Sequence, residues 1–403
     1  MSFQQGLSGL NAAAKNLDVI GNNVSNANTV GFKQSQAQFA DVYANSLTGS
    51  GGSNVGIGTK VAAVVQQFTQ GNITSTNNPL DIAINGNGFF RVDNNGEINY
   101  QRNGQFQLDK NGFIVTSGGA KLTGYTASAS GVLSTGSPQP ISINTADLSP
   151  SATSKVNAVM NLDSSAGVKT AAFDMNDPTT FNNSMSVSVY DSLGNQHTLQ
   201  TYYVKTAPGS WDVYASNDGT LIQATPVGTL AFNNTGSLTS GSPITIAGLA
   251  VTTGASALNF SIDYTGSTQF GSPFSVNTLN QDGYTSGRLA GFNVGADGIV
   301  LGRYTNGQAA VLGQVVLASF SNPNGLQPMG NNMWSESSTS GAPLVGAPDS
   351  GGLGVLQSSA TEDSNVDLTA ELVNMITAQR VYQANAQTIK TQDAVMQTLV
   401  NLR

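Results

Sequence analysis

The chain has no cysteine, which excludes disulfides, thiolate metal sites and a cysteine nucleophile together. It has one histidine, His197, and a single imidazole without thiolates falls short of the three or four ligands of a zinc site. No cofactor is expected. Charge is scarce as well: Asp, Glu, Lys and Arg make up 9% of the 403 residues, against a usual ~25%. Ser, Thr, Asn, Gln and Gly take their place, giving a neutral polar surface and not the charged composition of a disordered chain. Basic residues number 15 against 23 acidic ones, for a net charge of −8. They are scattered, so no nucleic-acid partner is expected. No run approaches the ~18 apolar residues of a membrane span, so no membrane insertion is expected. The N-terminus also lacks the basic segment and apolar run of a cleaved signal peptide.

Two further absences are local, and they locate helices. The chain holds 46 glycines and 13 prolines, yet no glycine follows Gly354, no proline follows Pro348 and none precedes Pro79. Both residues disfavour helix interiors. In steps of four and three the tail reads Leu368, Leu372, Met375, Gln379, Tyr382, Ala386, Ile389, Asp393, Met396 and Val400. That is a heptad seam, mostly apolar, widened by Val366, Ile376 and Leu399. Ser364 and Asp367 read as a capping box, with Asp367 and Glu371 suited to the positive end of the helix. A helix over Leu368–Leu402 would be about 50 Å long at ~1.5 Å per residue. At the other end Phe3, Leu7, Leu10, Ala14, Leu17 and Val24 repeat the pattern, with Ala13 and Ile20 alongside, predicting a helix over 1–30. An amphipathic helix on a globular core has the same period. Here two such stripes enclose a long middle of different composition, so the ends are expected to pair. Their surplus apolar surface is expected to be covered by other subunits.

The terminal motifs are specific. Leu10-Asn11, then Leu17-Asp18-Val19-Ile20-Gly21-Asn22-Asn23-Val24-Ser25-Asn26-Ala27-Asn28-Thr29-Val30-Gly31-Phe32-Lys33, resembles the N-terminal signature of the bacterial flagellar rod and hook axial proteins. Ser364–Leu368, Glu371–Ile376, Gln379–Ala386 and Ile389–Asp393 resemble the C-terminal signature of the same family. Ser25 stands where alanine is commoner, and Val30 where an aromatic is often found. A length of 403 residues with a large middle insertion is similar to the hook-type members; the rod-type members are much shorter. The resemblance, with the seams, assigns the assembly interface to two sets. One is Phe3, Leu7, Leu10, Leu17, Ile20, Asn22, Asn23, Asn26, Thr29, Gly31, Phe32 and Lys33. The other is Asn365, Val366, Leu368, Leu372, Met375, Ile376, Gln379, Arg380, Tyr382, Asn385, Ala386 and Ile389.

The resemblance also implies a function and partners. The chain would polymerise with itself into a curved, flexible tube that passes motor torque to the filament as a universal joint. Its further partners would be the distal rod protein, the hook cap, the hook–filament junction protein and the flagellar type III export apparatus. Export would use an uncleaved N-terminal region and place the protein outside the cell, in the flagellum.

Between the ends the signals are β. Ser46–Gly58, rich in glycine and serine, reads as a connector, within connector segments 34–78 and 335–363. Ile82-Ala83-Ile84, Phe89–Val92, Ile98–Arg102, Phe106–Leu108 and Phe113–Val115 read as short strands. Asn94-Asn95-Gly96 and Asp109–Gly112 punctuate them as turns. The module breaks at 146 and resumes over 283–334, from Phe292 to Phe320. Inside it, over 147–282, Met185, Val187 and Val189, and Leu258, Phe260, Ile262 and Tyr264 alternate with polar residues, as half-buried strands do. The fold expected is mainly β with paired terminal α-helices in a nested, discontinuous layout. A coiled-coil terminal domain (1–33 and 364–403) encloses two β-barrel or sandwich domains (79–146 with 283–334, and 147–282).

Chemistry finds no foothold. Val55-Gly56-Ile57-Gly58 precedes a β-type run where a phosphate loop needs a helix. Asp93, Asn95 and Glu97 lack the glycine and final acid of a calcium loop, since Ile98 and Gly104 stand there, and fit a hairpin tip. No Gly-x-Ser-x-Gly elbow occurs, and nothing selects a glycosidase pair from the carboxylates. A structural subunit, not an enzyme, is the expectation. A secreted β-rich adhesin with a helical stalk, and a distal rod or hook–filament junction protein, stand as alternatives.

Overall fold

The computed structural model describes residues 2–42, 56–128 and 131–401. Most of the expected connector, Ser46 to Val55, lies outside the described residues, as do Leu402 and the side chain of Leu399. Two compact units emerge. The first is made of Met1–Asn144, Gly291–Gly302 and Ala309–Arg403, and the second of Thr145–Ala290 and Arg303–Gln308.

The first unit starts with helix α1 (Ser2–Ser25), shorter than the expected span to residue 30. Its end is written in asparagines, whose side chains compete with helical hydrogen bonding. Asn26 Nδ2 donates to Asn22 O at 3.0 Å, and Thr29 Oγ1 donates to Asn26 Oδ1 at 3.1 Å, closing a turn. Strands β1 (Ser35–Val42) and β2 (Gly58–Gln66) then pair antiparallel, from Ser35 opposite Gln66 to Val42 opposite Gly58. This hairpin lies along α1. Asn23 side-chain atoms bracket Ser35 at one end, and Gln5 Nε2 donates to Gly56 O at 2.6 Å at the other. The segment 34–78 thus carries ordered strands, because their backbone groups find partners on the helix as well as on each other.

Short strands β3 (Ile73–Ser75) and β4 (Ile82–Asn85) pair with Ala360–Glu362 and Val355–Ser358, so the returning chain is stitched beside the departing one. Segment 335–363 therefore also contains strands. Strands β5 (Phe89–Asn94) and β6 (Glu97–Gln101) form a hairpin. Its tip places Asn95 at φ 55° and Gly96 at φ 94°, the positive-φ geometry that an Asn-Gly turn supplies. Asp93 Oδ1 accepts from Gly96 N at 2.6 Å, so this carboxylate serves the turn. Phe89, Tyr100, Phe320 and Trp334 are buried together, with Phe68 packed edge-on to Phe89 and Trp334 at 5.5 Å. Helix α2 (Leu368–Asn401) ends the chain.

The second unit is a sandwich of two sheets, of five and six strands among the described residues. The inner faces supply its core: Val156, Ala158, Met160 and Leu162 from one sheet meet Leu199, Tyr203, Trp211 and Val213 from the other. The alternation at Met185 and Val189, and at Leu258, Phe260 and Ile262, puts those side chains in that core. Neither sheet closes on itself, so of the two β architectures expected here the sandwich is the one formed, not the barrel.

Candidate assembly interface at the chain ends

The two helices are antiparallel: Gly6 lies against Ile389 and Gly9 against Asn385 near one end, while Gln34 reaches Glu371 at the other. The faces in contact are not the large apolar stripes. On α1 the buried line is Gly6, Ala12, Ala13, Ile20 and Asn23. On α2 it is Glu371 and Ala378, with Met375, Asn385 and Ile389 half-buried. Small residues allow the close approach: a Cβ added at Gly9 would stand 2.6 Å from Asn385 Oδ1. While Tyr382 stays exposed, the expected α2 seam shares Met375 and Ile389 with the observed one. Its second line is displaced by one residue, from Leu372, Gln379, Ala386 and Asp393 to Glu371, Ala378, Asn385 and Gln392.

The displacement leaves large apolar side chains free. Phe3 is 50% exposed, Leu7 44%, Leu368 45%, Leu372 44%, Ile376 52% and Tyr382 37%. Leu10, Leu17, Val366 and Ala386 are half-buried, and Asn22, Gln379 and Arg380 are exposed. On α2, Leu368, Leu372 and Ile376 follow one another at four-residue spacing along one side of the helix.

Other residues of the expected interface make contacts inside the subunit. Asn23, Gly31, Phe32 and Lys33 are buried. Asn23 holds both backbone groups of Ser35, at 2.8 and 2.9 Å. Asn26 and Thr29 close the turn after α1. Asn365 accepts from Gln34 N at 2.7 Å and donates to Gln67 O at 2.8 Å. Gly31 has φ +70°, and a Cβ there would lie 2.5 Å from Asn103 N, so the motif glycine is needed for a fold-internal turn.

Lys33 belongs to an ionic knot that sequence reasoning missed. Its Nζ donates to Glu362 Oε1 at 2.6 Å and to Thr69 O at 2.8 Å; Arg102 donates to Glu362 Oε2 at 3.0 Å and to Gly86 O at 2.8 Å. The side chains are 0%, 0% and 4% exposed. Burial lowers the pKa values of both Lys33 and Arg102, and the Glu362 carboxylate opposes that shift. Glu362 and Arg102 lie far apart in sequence and carry no periodic signal. The helix cap is also relocated: Asp367, not Ser364, is the N-cap, its Oδ1 accepting from Thr369 N at 2.9 Å and Ala370 N at 3.1 Å. Among the described residues no cluster of three or more His, Asp or Glu side chains is placed to hold a metal ion. No helix among the described residues is long and apolar enough to cross a membrane.

Paired terminal helices with uncovered apolar side chains, flanking a β-rich middle, define a class of protein: a mainly β chain whose two helical ends pair with each other. Comparison with known sequences agrees with that architecture at each stage. Residues 3–33 match the family model "Flagella basal body rod protein", 83–158 the "Flagellar hook protein FlgE/F/G D1 domain" and 161–284 the "Flagellar basal body protein FlaE D2 domain". Residues 357–402 match the "Flagellar basal body rod FlgEFG protein C-terminal". The chain is 45% identical to the flagellar hook protein of Salmonella typhimurium over 411 aligned residues, and 44% identical to that of Escherichia coli over 410, covering all of both chains in each case. It is 32% identical to the hook protein of Borreliella burgdorferi, over 100% of this chain and 99% of that one. A crystal structure of a Helicobacter pylori flagellar hook protein shares the fold at TM-score 0.54 and 14% identity, over 70% of this chain and 99% of that one. The chain belongs to the flagellar hook protein family.

Proposed function

We propose that this chain is the repeating subunit of the flagellar hook, polymerising with copies of itself into a curved, flexible tube that carries motor torque to the filament. The observation that carries the reading is the apolar face left open after α1 and α2 have packed. Leu368, Leu372 and Ile376 stay 44–52% exposed, a costly arrangement for a monomer that neighbouring subunits would relieve. The layout is nested along the chain, with the second unit's main segment, Thr145–Ala290, inserted between segments of the first. Scarce charge lets many copies sit close together with little repulsion. The β domains, rich in Gly, Ser, Asn and Thr, can shift against neighbouring copies without breaking large apolar contacts, while the helices hold the shaft. The protein acts outside the cell, exported by the flagellar type III apparatus without cleavage. Its hetero-partners are the distal rod protein, the hook cap and the hook–filament junction protein.

Electron microscopy of the purified full-length chain tests this. Short curved tubes are expected, and Leu372→Glu with Ile376→Glu should keep the folded protein monomeric under the same conditions. A wild-type chain that stays single at every concentration, or a double variant that still forms tubes, contradicts the reading.

A further inference from the structure

A groove of about 760 Å³ runs between α1, the β1–β2 hairpin and α2, with Ile20, Phe39, Ala378 and Val381 among its walls. Glu371 also lines it and is 4% exposed. Its Oε1 accepts from Gln34 Nε2 at 2.5 Å, but Oε2 is buried with no hydrogen-bond partner among the described residues. A buried carboxylate oxygen without a donor is unfavourable, while Phe39, 43% exposed on the wall, leaves the groove open to an incoming group.

The complementary surface is on the far side of the same helix. Arg380 is exposed and makes no ion pair among the described residues. Its neighbours one and two turns earlier, Ile376 and Val373, are 52% and 58% exposed. Nine positions separate Glu371 from Arg380, about two and a half turns at ~3.6 residues per turn, so the two point to opposite sides of α2. Lys15, the cation on α1, is already paired with Asp18 at 3.1 Å.

We propose that the groove is the socket for the outer face of α2 from a second copy of this chain, with Val373 and Ile376 against its apolar walls and Arg380 reaching Glu371. The inference rests on the self-assembly reading and names the contact that carries it. Socket and knob lie on opposite sides of one helix, so each subunit accepts one neighbour and enters another. Such a head-to-tail contact does not close into a two-fold dimer; it extends into a ring or a helical array.

The test uses the full-length chain. Arg380→Glu, at an exposed position without an intramolecular ion pair, should leave the melting curve unchanged and raise the critical concentration for tube formation at least tenfold. Glu371→Gln keeps the shape of the side chain, should also weaken assembly, and should make Arg380→Glu no worse when the two are combined, as expected of residues that share one contact. Because the chain has no cysteine, Asn374→Cys in one preparation and Ala384→Cys in another can be mixed and treated with a short bis-maleimide. Chain-to-chain linkage in the tubes is expected. Tubes that form at the wild-type concentration with Arg380→Glu, or that give no linkage, overturn the socket while leaving hook assembly intact. Failure of the wild-type chain to form tubes overturns the assembly reading itself.

Discussion

Lys33 Nζ lies 2.6 Å from Glu362 Oε1, and neither side chain is exposed at all. The pair joins the end of the N-terminal motif to the strand that precedes α2, and Arg102 adds the first β domain to the same carboxylate at 3.0 Å. Glu362 is thus the one anion between two buried cations.

Removing that anion should be far worse than removing one cation. Glu362→Ala strands two buried charges, and about 3–5 kcal/mol of stability should be lost, the range for breaking a buried pair. Lys33→Met leaves Arg102 and Glu362 paired and should cost clearly less. Urea unfolding followed by Trp334 fluorescence in a Trp211→Phe background reports on the first unit, where Trp334 is buried. Equal losses in the two variants would contradict the assignment of Glu362 as the hub.

His197 should make the second unit sensitive to pH. The ring is 4% exposed, with Nδ1 2.6 Å from Asp218 Oδ2 and Nε2 3.3 Å from Asp191 Oδ2. Burial alone would lower its pKa, but the hydrogen bonds and charges of Asp218 and Asp191 outweigh it and raise the value above 6.5. Burial likewise works against Asp191, yet hydrogen bonds from Thr253, Asn195 and His197 hold it well below the ordinary carboxylate value. A raised histidine contributes stability fully below about 6.5 and loses it as pH rises through the folded value. The depressed carboxylates contribute above their ordinary value of 3.8 and lose it as pH falls through their folded values. The clasp is therefore strongest in mildly acidic solution. The melting temperature of the second unit, read by Trp211 in a Trp334→Phe background, should decline above neutrality. His197→Gln should flatten that decline; an unchanged slope would rule out the histidine.

Asp367 should control the first turn of α2. Asp367→Ala removes the acceptor shared by the amides of Thr369 and Ala370, at a cost of ~1 kcal/mol. Amide exchange over residues 369–376 should quicken roughly fivefold, the equivalent of that cost. Asp367→Asn keeps an acceptor and should fall between alanine and wild type. Because Ser364 does not cap the helix, Ser364→Ala should leave these amides unchanged.

The sequence was most legible where a period is short. Alternation at Leu258, Phe260 and Ile262 placed those residues in the core of the second unit, since a strand repeats every two residues and allows little choice of face. The helices were legible as elements from missing glycine and proline. Their contact faces were not, because a heptad stripe can be rotated by one residue and still look apolar. Leu372 reads as a seam residue and is 44% exposed; Glu371, outside the expected seam, is buried. Small residues such as Gly9 and Ala378 carry little hydrophobic signal, yet they are what lets two backbones approach.

What the sequence determined by itself is therefore the kind of molecule: Gly-poor ends bearing family motifs, a β-rich middle, and too little charge, histidine or cysteine to suggest a chemical centre. Local period, turn chemistry and composition suffice for that. Tertiary structure decided which motif residues face outward and which are used within the subunit. Lys33 and Glu362 stand 329 positions apart, and no local pattern encodes their meeting. Burial against partners brought from the far end of the chain turned the motif lysine into an internal tie, and left Leu372, Ile376 and Arg380 at the surface.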